Sequence, residues 1–166
     1  MLSFRPAILA FTLLTSGCAA LLAPPVHPGD TEATVISQLG IPTHRYRDGN
    51  DQLLEYAKGP WGQRTWMARI TPDGHLASYR QVLTSAVFAT IIPGKSTKDT
   101  VLRTIGAPGE TMSLPRIRQE VWSYAYKESD VWDSMMHVHF DEQGIVSQML
   151  NGPDLRFDPD SRFPGR

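Results

Sequence analysis

The chain has 166 residues, a formal net charge of −1 and 41% hydrophobic residues, enough for one globular body with a core or for two small ones. Its charges are scattered in both signs, with no basic stripe to neutralise phosphates, which argues against a nucleic-acid partner. A single cysteine, Cys18, excludes any intrachain disulfide.

Residues 1–17 carry one basic residue, Arg5, then an apolar run from Ala7 to Leu14, then Thr15-Ser16-Gly17 before Cys18. That order reads as a secretory signal peptide. The run is too short to span a bilayer, which takes about 20 residues. Ser16-Gly17-Cys18 resembles the lipobox of bacterial lipoproteins, with Leu14 one place further from the cysteine than the usual leucine. The resemblance implies cleavage before Cys18 and a covalent lipid, palmitate among its chains, on that residue. With Ala19 rather than Asp next, it also implies sorting to the outer membrane, on the periplasmic face. An incidental cysteine in a plain signal is the competing reading, and it leaves the place of the only cysteine unexplained. Residues 18–27, with Pro24-Pro25, read as a tether.

A first unit then spans residues 28–84. Pro28-Gly29 turns the chain, Asp30 or Thr31 can cap a helix, and Val35, Ile36 and Leu39 share one helical face before Gly40 and Pro42 stop it. About two turns of helix cannot stand alone and must dock on something. Leu53 to Ala57, Thr65 to Ile70 and Leu76 to Leu83 read as three strands. They are joined through Gly59-Pro60-Trp61-Gly62 and Asp73-Gly74, a hairpin-linked antiparallel meander with one face under the helix.

The pattern returns in residues 85–153. One spacing separates Val35 from Val101, Gly40 from Gly106 and Pro42 from Pro108, while Pro28 to Pro93 is one residue shorter. A repeated unit governs the fold. Ser85 to Ile91 predicts a short linking helix with Ser85 as its cap, and Ser96-x-x-Asp99 is a capping-box variant ahead of Val101, Leu102 and Ile105. Strands are predicted over Glu120 to Tyr126, Val131 to Asp141 and Ile145 to Leu150. Residues 154–166, rich in Asp, Arg and Pro, read as a mobile tail. The fold class is α+β: two tandem units, each a short helix or helices on a three-stranded antiparallel meander.

Taken together, Pro-Gly, the capped helix, Val101-Leu102-x-x-Ile105-Gly106-x-Pro108, Trp122-x-Tyr124 and Phe140-Asp141-x-x-Gly144-Ile145-Val146 resemble the SmpA/OmlA (BamE-like) family of small outer-membrane lipoproteins. The second unit carries the resemblance best. What it implies is a non-enzymatic lipoprotein that binds an envelope protein, in outer-membrane protein assembly or envelope integrity. The tandem arrangement leaves an alternative open: an inhibitor-like or ligand-binding module using the joint sheet face of both units.

Ala89-x4-Gly94-Lys95-Ser96 fits a relaxed phosphate-loop pattern, but its Thr-Ile-Ile-Pro interior resists the wrapped backbone such a loop needs. His137 and His139 lie on one side of a strand, a conceivable metal pair with Asp141 as a third ligand, but no further His or Cys clearly joins them. No nucleophile, base and orienting group stand together, so no enzyme activity, catalytic residue, metal or cofactor is expected apart from the lipid on Cys18. The strongest binding candidate is Trp61 in its Gly/Pro turn, with Trp66, Tyr56 and Tyr124 as further partner-binding candidates; Trp61 folded back over the sheet edge is the competing reading.

Overall fold

The computed structural model describes residues 26–157. The signal peptide, Cys18, most of the tether and the last residues of the tail therefore lie outside the described residues. Unit 1 runs α1 (Glu32–Leu39), β1 (His44–Asp48), β2 (Asp51–Lys58), β3 (Arg64–Ile70) and β4 (Leu76–Gln81). After α2 (Ser85–Phe88), unit 2 repeats it as α3 (Lys98–Ile105), β5 (Glu110–Leu114), β6 (Gln119–Glu128), β7 (Trp132–Phe140) and β8 (Val146–Pro153). Helices pack on two antiparallel sheets, ordered β1-β2-β3-β4 and β5-β6-β7-β8.

Each sheet has four strands rather than the expected three. The additions, β1 and β5, are short, polar edge strands, His44-Arg45-Tyr46-Arg47-Asp48 and Glu110-Thr111-Met112-Ser113-Leu114, mostly exposed. They lack the apolar alternation that betrays a half-buried strand. Asp48 pairs with Asp51, so Gly49 and Asn50 form a two-residue hairpin turn that creates β1.

The two units use the same backbone devices. Thr31 and Thr97 cap α1 and α3 by accepting from the N–H groups of Thr34 and Thr100. Ser96 is thus not the cap; its hydroxyl accepts from the Ile92 N–H at 2.9 Å. Thr84, not Ser85, caps α2. Just before each helix the chain pairs with the last strand: Leu76 N–H donates to Asp30 O and Val146 N–H to Ser96 O, both at 2.8 Å. These bonds orient helices too short to persist alone. Val35 and Val101 are each 0% exposed beneath them, worth about 1.5–3 kcal/mol apiece as buried side chains.

In unit 1, Val26, Val35, Leu54, Tyr56, Ala68, Ile70 and Leu76 form one core. The opposite face of that sheet is also covered: Leu53, Met67 and Val82 form a second small core, with Val87 of α2 packed on it. Val87 packs as well on the core of unit 2, where Phe88, Val101, Ile105, Trp122, Tyr124, Val138 and Phe140 meet. The α2 segment therefore fastens the units together. No strand of one sheet pairs with a strand of the other, so the described residues contain no continuous joint sheet face.

The first residues of the expected tail, 154–157, are packed on the fold. Asp154 is 3% exposed, its N–H donates to Asp133 O at 2.9 Å, and Leu155–Phe157 form a 3-10 turn.

Candidate functional site

The hairpin tips between β2 and β3 and between β6 and β7 occupy equivalent places in the two units, and side chains tie them together. Gln63 Nε2 donates to Asp133 Oδ1 at 2.6 Å, and Arg64 lies 3.5 Å from Asp130. Trp61 at one tip is 62% exposed; at the other, Val131 and Trp132 are 64% and 69% exposed. Trp61, Ser129 and Asp130 all hold positive φ, a conformation that costs a side-chain-bearing residue energy and persists only where the surroundings impose it. The 3-10 turn at the C-terminal side joins this end: Arg156 stacks its guanidinium 4.9 Å over the Trp61 ring. Asp154 holds that guanidinium through both carboxylate oxygens, and Glu110 accepts from it at 3.1 Å. Hydrogen bonding to Arg156 also pulls the Asp154 carboxyl below its ordinary range.

Of the sequence-predicted binding residues, Trp61 is 62% exposed with Arg156 over its ring, while Tyr56 and Tyr124 are 3% and 1% exposed and belong to the two cores. Those tyrosines offer a partner no surface, because β2 and β6 are buried on both faces. Trp66 is half-buried and stacks on Tyr79, centroids 4.9 Å apart, where burial pushes the Tyr79 phenol up to about 12. Trp132 reads in sequence as one more strand residue, and only its place at the tip exposes it. Cys18 lies outside the described residues.

Behind Trp61 a cleft of about 210 Å³ opens between the units. Its lining includes Glu55, which is 1% exposed although it sits mid-strand between Leu54 and Tyr56. Tyr46 Oη donates to Glu55 Oε2 at 2.6 Å and the Ala107 N–H at 3.1 Å, with His44 Nδ1 3.3 Å away. Gly106, at φ +85°, makes this approach possible, since a Cβ there would stand 2.7 Å from Glu55 Cδ. Burial first, then the bond to Glu55, raises the Tyr46 phenol far above its usual range, so it remains a donor.

His137 and His139 lie on the face of sheet 2 opposite α3. His137 Nδ1 meets Ser123 Oγ at 2.8 Å, and His139 Nδ1 meets Gln119 Oε1 at 3.0 Å. Burial, then the neighbouring His137, lowers the His139 pKa. Among the described residues no group of three or more His, Cys, Asp or Glu could hold a metal, and no carboxylate pairs with His137. In the Gly94-Lys95-Ser96 stretch the amides are spent within the chain, Gly94 N–H on Val146 O and those of Lys95 and Ser96 on Ile92 O. None is turned out as a phosphate cradle.

No family model and no curated protein matches this chain. Among solved structures, it is similar to a DUF4309 family protein (YjgB) from Bacillus subtilis subsp. subtilis str. 168 at 14% identity, covering 75% of this chain and 78% of that one with a TM-score of 0.33. It is also similar to an extracellular protein containing a SCP domain from Bacillus anthracis str. Ames, at 9% identity over 95% of this chain and 57% of that one, TM-score 0.29. Likenesses this weak carry no functional argument, and the class rests on the geometry: an α+β protein of two helix-on-sheet repeats joined by α2, with an aromatic end and an inter-unit cleft.

Proposed function

We propose that this chain is a non-enzymatic outer-membrane lipoprotein, anchored through lipid on Cys18 at the periplasmic face, that binds an envelope protein through the Trp61/Trp132 end. It would act in outer-membrane protein assembly or envelope integrity, as a tandem relative of the SmpA/OmlA (BamE-like) lipoproteins. The carrying observation is the pair of tied hairpin tips presenting Trp61, Val131 and Trp132 together. Exposed tryptophans on an ordered frame are the side chains that most often anchor protein interfaces, and a frame already held in place reduces the entropy lost on binding.

The route of the chain supports the orientation. Val26 enters the fold in the core of unit 1 beside Leu76 and Ile70, at the end of the sheet away from the tip. The eight residues of β2 separate the two ends by about 25 Å at the usual rise per residue. A chain anchored ahead of Val26 would hold its tryptophans away from the membrane that carries it, towards a periplasmic protein.

Two measurements test the reading. Labelled palmitate should enter the wild type and not Cys18→Ser, with the variant lost from the outer-membrane fraction. Crosslinking pull-downs from intact cells should recover an envelope protein that a Trp61→Ala/Trp132→Ala variant, folded by circular dichroism, no longer captures. Unlabelled wild type would remove the anchor; equal capture by the variant would remove the binding end.

A further inference from the structure

We propose that the cleft between the units is a binding site for a cationic side chain, an ammonium or guanidinium head on a methylene stem such as a partner's lysine or arginine presents. The proposal goes beyond the partner-binding reading and does not require it. Its basis is an incomplete carboxylate. All three contacts to Glu55 reach Oε2, from Tyr46, Ala107 and His44; Oε1 has no hydrogen-bond partner among the described residues. No lysine or arginine there pairs with Glu55, although its side chain is only 1% exposed. Burying a carboxylate without a permanent cation is costly, and an ion or charged group from outside is the natural complement.

The remainder of the cleft fits that occupant. Glu110 adds a second carboxylate to the lining, itself 3.1 Å from Arg156, and that one guanidinium is shared with Asp154. The lining also includes Leu83, Ala107, Ala125 and Met135, apolar surface of the kind that takes a methylene stem while the charge reaches a polar end. About 210 Å³ admits one side chain rather than a drug-sized ligand, which needs roughly 300 Å³ or more. At the mouth the chain supplies its own example of the recognition, Arg156 lying over Trp61 and bonded to Glu110. A neutral side chain of the same length would leave Glu55 Oε1 without a charge partner.

The test titrates the full chain, in detergent micelles, with Nα-acetyl-arginine amide and Nα-acetyl-lysine amide, using Nα-acetyl-norleucine amide as the neutral probe. Calorimetry and tryptophan fluorescence should show saturable millimolar binding of a cationic probe and none of norleucine. Glu55→Gln should weaken binding roughly tenfold or more, the share a charge-assisted bond contributes. Should that variant unfold, Glu110→Gln at the rim keeps the cleft intact and should weaken binding several-fold. Absence of saturable binding by either cation, equal binding of norleucine, or unchanged affinity in the folded variants would overturn the proposal. Because the probes are single amino acids, such a failure leaves the pull-down to decide the partner-binding reading separately.

Discussion

Gly40 and Gly106 end α1 and α3 in the same way, at φ +88° and +85°, with their N–H groups on Ile36 O and Leu102 O. Beyond Gly40 there is open space, and the next residue, Ile41, is 89% exposed. Beyond Gly106 stands Glu55, and the next residue, Ala107, donates to it. The sheets diverge to match. In the strand pairing, Glu55 lies between His44 and Met67 in sheet 1, while Ser123 lies between Glu110 and His137 in sheet 2. A helix stop that merely ends α1 has become, in unit 2, the plug of an interface. The shared pattern folds both halves, and the residues at one helix end help to join them.

Gly106→Ala tests this contrast most severely. Both glycines occupy backbone that other residues adopt only with strain, so Gly40→Ala should cost about 2 kcal/mol. Gly106→Ala should cost about 4 kcal/mol, because the new methyl also displaces a buried carboxylate from its donors. Urea unfolding midpoints decide it, and equal losses would mean that the Glu55 contact contributes nothing. Next in size, Tyr46→Phe removes a donor from that carboxylate and should cost about 2 kcal/mol. Met112, the residue placed like Tyr46 in unit 2, is 62% exposed, and Met112→Leu should stay within about 0.5 kcal/mol.

The caps should behave alike where the interface does not. Thr31→Ala and Thr97→Ala each lose one helix cap and should each cost about 1 kcal/mol by thermal or urea unfolding; a large difference between them would mean that the units are not equivalent at their helix starts. The smallest effect expected is at Lys98 and Glu120, 2.7 Å apart, where unit 1 has Glu32 and Gln52 joined by a hydrogen bond instead. Lys98 first, then the Trp122 indole, holds the Glu120 carboxyl below its ordinary value. The stabilisation is therefore present above the unfolded carboxyl pKa and disappears as pH falls through the lower folded one. Both groups are more than a third exposed, so Lys98→Met should cost only about 0.5 kcal/mol near neutral pH. The difference between variant and wild type should shrink as the acid range is entered. A difference that grows on acidification would contradict that sign.

Much of the fold is legible residue by residue. Val35 and Val101, the Pro-Gly entries, the Gly/Pro stops and the strand of Trp122 and Tyr124 mark the two units, because periodicity and turn chemistry are local. The edge strands β1 and β5 are not legible. Their residues are polar and exposed, and their strand conformation comes from hydrogen bonding to β2 and β6 rather than from burial of their own side chains. Trp61 carries a local signal, a tryptophan in a Gly/Pro turn, whereas Trp132 is brought beside it only when Gln63 and Arg64 reach across to Asp133 and Asp130.

The sequence by itself determined that there are two copies, where α1 and α3 stop, and which apolar faces must be covered. It could not determine that Glu55 would be buried, since a glutamate inside a strand ordinarily faces water. Nor could it determine that the two sheets stay separate with α2 between their cores. Those outcomes belong to the tertiary structure, because they depend on Gly106 and Ala107 arriving from the other unit and on Val87 finding two cores at once. Contacts between distant segments leave no period in the chain.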